Sequence, residues 1–129
     1  MRRVLVPAVA AAFVIAMSAA LGGQEPTITI QGQLVEMSCL AKLGAGKALD
    51  ESHVACARDC ANKGMQLGIF TEDDGVYRIE GDWATKNRPK LVALLGKQVT
   101  GTGTRVRGAD YSKIIDLSSV TEGKPKAND

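Results

Sequence analysis

The chain has 129 residues, 16 Lys and Arg against 14 Asp and Glu, a formal net charge of +2, and 4% aromatic residues. That is the length of one small domain. Balanced charge and scarce aromatics argue against nucleic acid, which needs a basic groove and stacking rings, and against an anionic membrane surface.

The opening stretch, MRRVLVPAVAAAFVIAMSAALGG, reads as a secretory signal peptide over residues 1–22. Arg2 and Arg3 form a positive start, Val4 to Ala16 an apolar stretch. Ser18-Ala19-Ala20 or Ala20-Leu21-Gly22 supplies small residues for cleavage, expected between Ala20 and Gly23. An uncleaved anchor is the alternative, since Val4 to Leu21 almost spans a bilayer. Alanine richness, Pro7 and the small-residue end favour cleavage. No cysteine follows the apolar stretch, which excludes a lipoprotein anchor, and Arg2-Arg3 lacks the surroundings of a twin-arginine signal. The expected location is periplasmic or secreted, with no stable membrane insertion after cleavage. Losing Arg2 and Arg3 from the 16 basic residues leaves 14 against 14 acidic ones, a mature charge near zero.

Residues 23–121 form the expected domain, and 122–129 a polar tail. Thr27 to Met37 alternates as a first strand, with a bulge or bend at Gly32. Leu40 to Asp50, holding Gly44 and Gly46, reads as loop. Ser52 to Lys63 reads as a helix, with Gly64 at the left-handed capping position. Met65 to Phe70 and Val76 to Glu80 flank the turn signal Asp73-Asp74-Gly75 and predict a hairpin. Pro89 to Leu95 reads as a short helix stopped by Gly96. Lys97 to Arg107 and Tyr111 to Val120 supply the fourth and fifth strands.

Five strands, with a helix between the third and fourth, predict a mainly β protein built as a five-stranded OB-like barrel. The Cys/His-containing helical segment is then an insert between strands 1 and 2. The runner-up is another small open β-barrel or roll. The expected core is Ile28, Ile30, Leu34, Ile69, Ile79, Leu91, Leu95, Val99, Ile115 and Leu117.

All three cysteines and the only histidine lie between Cys39 and Cys60. On a helix, His53, Cys56 and Cys60 fall within roughly 60° of one another. Val54, Ala57 and Ala61 continue that face, while Arg58, Asp59, Asn62 and Lys63 lie opposite. Cys39, from the end of the preceding strand, joins them. Thiolates and an imidazole suit Zn(II), and thiolates with thioethers suit Cu(I), so Met37 and Met65 are possible further ligands. The alternative is a disulfide from Cys39 to Cys56 or Cys60, with the third thiol buried and His53 hydrogen-bonded. Redox-active thiols are a third reading. Catalysis is not expected, because a Cys/His nucleophile lacks a visible orienting residue and oxyanion donor. Asp59 lies on the far helix face, and Asp73 and Asp74 serve the turn.

Gly32-Gln33-Leu34-Val35-Glu36-Met37-Ser38-Cys39, followed by His53-Val54-Ala55-Cys56-Ala57-Arg58-Asp59-Cys60, resembles small exported bacterial proteins with a G-x-L-V-D-x-x-C … H-x-x-C-x-x-x-C pattern. Gly64 to Gly68, and more loosely Lys97 to Gly101, extend the likeness. Glu36 stands where the pattern has Asp. The resemblance implies export and an OB-like domain carrying a Cys/His cluster. Two functions therefore compete: a metal-binding or metal-handling module for Zn or Cu, and a disulfide-stabilised, non-catalytic binding domain for a protein or small ligand.

Overall fold

In a computed structural model, residues 25–109 and 112–123 are described. The expected signal segment 1–22, most of the tail, and Tyr111 lie outside them. Strand β1 is Thr27–Glu36, β2 Leu67–Thr71, β3 Gly75–Glu80, β4 Gln98–Arg107 and β5 Lys113–Glu122. The sheet closes on itself in the order β1-β2-β3-β5-β4.

Closure depends on β1 serving two partners. Its first half runs antiparallel to β4, from Thr27 opposite Thr104 to Gln33 opposite Gln98. Its second half runs antiparallel to β2, from Gln33 opposite Phe70 to Glu36 opposite Leu67. The handover occurs beside Gly32, where a Cβ would lie 2.0 Å from the Phe70 carbonyl oxygen. Only glycine lets the two backbones approach this closely. β2 and β3 form a hairpin, β4 and β5 a second one, and β3 lies parallel to β5.

The apolar positions of these strands converge on one core. Leu34, Ile69, Ile79, Leu91, Leu95, Val99, Ile115 and Leu117 are buried as expected, with Ile28 and Ile30 partly buried against them. Leu67, Tyr77 and Ala61 complete it. Leu91 belongs to helix α4, Arg88–Ala93, whose first turn carries Pro89, as its fixed φ favours.

The insert between β1 and β2 is more helical than its glycines suggest. It holds α1 (Met37–Leu43), α2 (Ala45–Ala48), a 3-10 turn (Glu51–His53) and α3 (Val54–Asn62). Residues 40–50, expected as loop, are therefore largely helical. Met37 and Cys39 belong to α1 and not to the strand. The cause is Glu36, whose carboxylate accepts hydrogen bonds from the Ser38 amide at 2.9 Å and the Cys39 amide at 2.8 Å. These amides would otherwise lack partners at a helix start, so the side chain turns strand into helix. The helix expected from Ser52 begins as a 3-10 turn because the Asp50 carboxylate takes both the amide and the hydroxyl of Ser52. β5 runs on to Glu122, which pairs with Lys97 at 3.2 Å, so the strand claims the first tail residue.

Helix α3 is fastened to the closed sheet by small residues. Ala57 and Ala61 are buried. The Arg88 guanidinium donates to the carbonyls of Ala61, at 2.7 Å, and Met65, tying the end of α3 to α4. Gly64 leaves the helix at φ +89, and its amide bonds the Ala61 carbonyl at 3.0 Å, the capping role expected of it. Among the described residues, no helix is long and apolar enough to cross a membrane.

Candidate metal centre

Two helices deliver the thiols. Glu36 starts α1, which places Cys39 in its first turn, buried against the closed sheet. On α3, Cys56 and Cys60 are four residues apart and so share a face. The buried Ala57 and Ala61 fix which way that face turns. The result is a triangle: the sulfurs of Cys39, Cys56 and Cys60 all lie within 4.8 Å of one another. Cys39 Sγ is 4.0 Å from Cys60 Sγ.

Three sulfurs bound tetrahedrally to one zinc at 2.3 Å would stand about 3.8 Å apart. The observed triangle therefore needs only small side-chain adjustments to close on an ion. The same separation is about twice a disulfide bond, and all three cysteines are free thiols. The bond expected as an alternative, Cys39 to Cys56 or Cys60, is not formed.

Exposure grades across the triangle. Cys39 is buried, Cys60 intermediate and Cys56 exposed. The Cys39 thiol is pushed up to about 12, first by burial, then by its hydrogen bond to Glu36 and that carboxylate's charge, and by Cys60. Burial by itself would raise Glu36 as well. The Cys39 thiol and the Ser38 and Cys39 bonds outweigh it, and the carboxyl sits below its usual range. Glu36 is thus a buried carboxylate that both caps α1 and accepts the Cys39 S–H. Its exposure is 1%. The sequence pattern placed Glu36 beside the site without a role. An acidic residue three positions before a cysteine is the signal for it, since that spacing lets a cap reach the cysteine amide.

The other expected donors lie outside the sulfur triangle or are placed by different contacts. His53 stands at the junction of the 3-10 turn and α3, one turn ahead of Cys56, and is not among the three side chains of mutual reach. Its Nε2 is buried without a hydrogen-bond partner. The ring borders a depression of about 420 Å³ lined by Leu43, Gly46, Lys47, Asp50 and Ser52. Met37 is half-buried, with its Cγ close to Gly68 of β2, and Met65 is 45% exposed.

No family model, curated protein or solved structure matches this chain.

Proposed function

We propose that this is an exported, OB-like protein that binds and hands on a thiophilic metal ion at Cys39, Cys56 and Cys60, with His53 as fourth ligand. The carrying observation is the convergence of three free thiols within 4.8 Å. His53 is the natural fourth donor because its buried Nε2 is uncommitted and the residue stands one helical turn before Cys56, although its ring must turn to reach the sulfur triangle. Leaving such an atom unpaired costs about 1–3 kcal/mol, which a ligand bond would recover. The donor set suits Zn(II) or Cu(I). Zn(II) is placed first because three thiolates beside the Glu36 carboxylate need the larger positive charge.

Handling is favoured over a purely structural role by the exposure of Cys56. A Cys3His set also occurs in closed structural zinc sites; the distinction here is that an accessible thiolate lets a partner's ligand displace it. The leader over residues 1–22 supports export to the periplasm or beyond. The sheet order with a parallel β3-β5 pair, and a helix between β3 and β4, supports the OB-like reading.

Metal analysis of anaerobically purified protein, paired with a thiol count, tests the reading. The expected result is one metal per chain, masked thiols that a chelator exposes, and loss of metal in Cys56→Ser. His53→Ala should weaken binding while leaving the three thiols able to hold the ion. Three reactive thiols and no stoichiometric metal after exposure to Zn(II) and Cu(I) would overturn it. Fractionation with mass spectrometry tests export: an intact Met1 in the membrane fraction would contradict cleavage.

A further inference from the structure

Away from the thiols, one end of the closed sheet collects positive charge. Ile115 and Leu117 of β5 point into the core. Strand side chains alternate, so Lys113 shares the inward face with them. Arg105 lies opposite Ile115 and Arg107 opposite Lys113, which puts both arginines on that same face. Ile79 lies beside Ile115 in the parallel β3-β5 pair, so Tyr77, two residues earlier on β3, also points inward at this end.

Tyr77 is buried beside these cations. The cations sit above it: the Arg105 guanidinium is 6.0 Å from the ring centroid and the Lys113 ammonium 5.8 Å. Arg105, Arg107, Lys113, Ser112 and Val106 line a depression of about 270 Å³. Among the described residues, Asp74 is the acid that faces these charges. Asp74 accepts from Tyr77 and from Lys113, and its carboxyl is lowered by those bonds. Glu72 and Asp73, from the same turn, border a different depression with Gln31, Gln33 and Gln98. Asp74 is therefore committed to Lys113 and Tyr77. Neither Arg105 nor Arg107 has an ion-pair partner among the described residues.

Arg107 is exposed, and Arg105 and Lys113 are half-buried, so these charges stand at the rim of the apolar core. The Tyr77 ring lies beside Arg105 and Lys113, and an anion would relieve the repulsion between the two arginines. We propose that this mouth binds a phosphate group, with the unpaired Arg105 and Arg107 donating to its oxygens and Lys113, held by Asp74, standing at its edge. Guanidinium groups match phosphate in a two-pronged geometry, and such charge-assisted bonds are among the stronger ones. The site is independent of the metal reading.

Calorimetric titration of inorganic phosphate into the full chain at low ionic strength tests this. The expected result is saturable one-to-one binding that weakens with salt. Arg107→Gln, at an exposed position, and Arg105→Gln should each weaken it about tenfold or more. Lys86→Gln with Lys90→Gln removes two charges elsewhere and should leave binding unchanged. Arg105 packs over Tyr77, so Arg105→Lys, which keeps the charge, guards against misfolding; it should fold and bind more weakly. Vesicles of phosphatidylglycerol separate the sources of the group. Vesicle binding that free phosphate displaces points to a lipid headgroup, and phosphate binding without vesicle binding to a soluble phosphate; both support the site. Absence of saturable phosphate binding overturns it, as does equal loss in the Lys86/Lys90 variant.

Discussion

Replacing Glu36 by glutamine tests whether one carboxylate holds the corner that delivers Cys39. In the native chain one oxygen accepts the Ser38 amide at 2.9 Å; the other accepts the Ser38 hydroxyl at 2.9 Å and the Cys39 amide at 2.8 Å. Glutamine makes one of these oxygens an NH2 group, so a donor meets a backbone donor whichever way the amide is turned. A hydrogen bond to a charged group contributes about 1.5–3 kcal/mol, and an N-cap about 0.5–2 kcal/mol. The two overlap here, and one oxygen keeps its bond, so the expected cost is about 2 kcal/mol. For a domain near 100 residues that lowers the melting temperature by about 8–16 °C. Glu36→Ala should cost more, having no acceptor. Glu36→Asp should cost least, because a shorter carboxylate is a good cap in its own right. Urea unfolding of the reduced, metal-free protein reads all three. If the metal reading holds, the glutamine variant should also bind metal about 10–100-fold more weakly, as expected when a ligand loses its supporting contact. A glutamine variant within about 0.5 kcal/mol of the native protein, the range of an ordinary surface change, would refute the corner as described.

Gly32→Ala places a methyl group 2.0 Å from the Phe70 carbonyl oxygen, backbone against backbone. The expected penalty exceeds about 4 kcal/mol, and circular dichroism should show a largely unfolded chain; a native-like melt would contradict the shared strand. The Cys39 thiol, raised from 9.0 to about 12, links stability to alkaline pH. The folded state keeps a proton that the unfolded state gives up, so this contribution is present below pH about 9 and is lost as pH rises towards about 12. Urea unfolding of reduced, metal-free protein should show that decline, and Cys39→Ser should lack it. Parallel curves would contradict a buried neutral thiol.

Much of the chain's local order was written in short stretches. Alternation marked the first strand, Asp73-Asp74-Gly75 marked the first hairpin, Pro89 and Gly96 bracketed α4, and Gly64 marked the end of α3. Each signal works through neighbours in sequence: φ limits, pleat alternation, or a capping bond. The core positions were legible for the same reason, because apolar periodicity survives whatever the tertiary arrangement. The clustering of Cys39, Cys56 and Cys60 was legible as a concentration of thiols, and the helical spacing placed two of them on one face.

What stayed hidden depends on contacts between distant segments or on one side chain overriding a pattern. Glu36 looks like the next residue of an alternating strand, and its backbone is extended; only the capping bonds to residues 38 and 39 reveal that α1 starts there. The division of the insert into α1, α2 and α3 followed similar competition, with Asp50 capturing Ser52 and tightening the turn before His53. A bend at Gly32 and a closed sheet were expected from the sequence, but the reason for glycine there, a carbonyl 38 residues away, lies in the pairing of β1 with β2. The inward rim of Arg105, Arg107 and Lys113 needed the β4-β5 register and the parallel β3-β5 pair. Periodicity tells which residues share a face of one strand; only pairing between strands decides which face turns inward and which charges meet there.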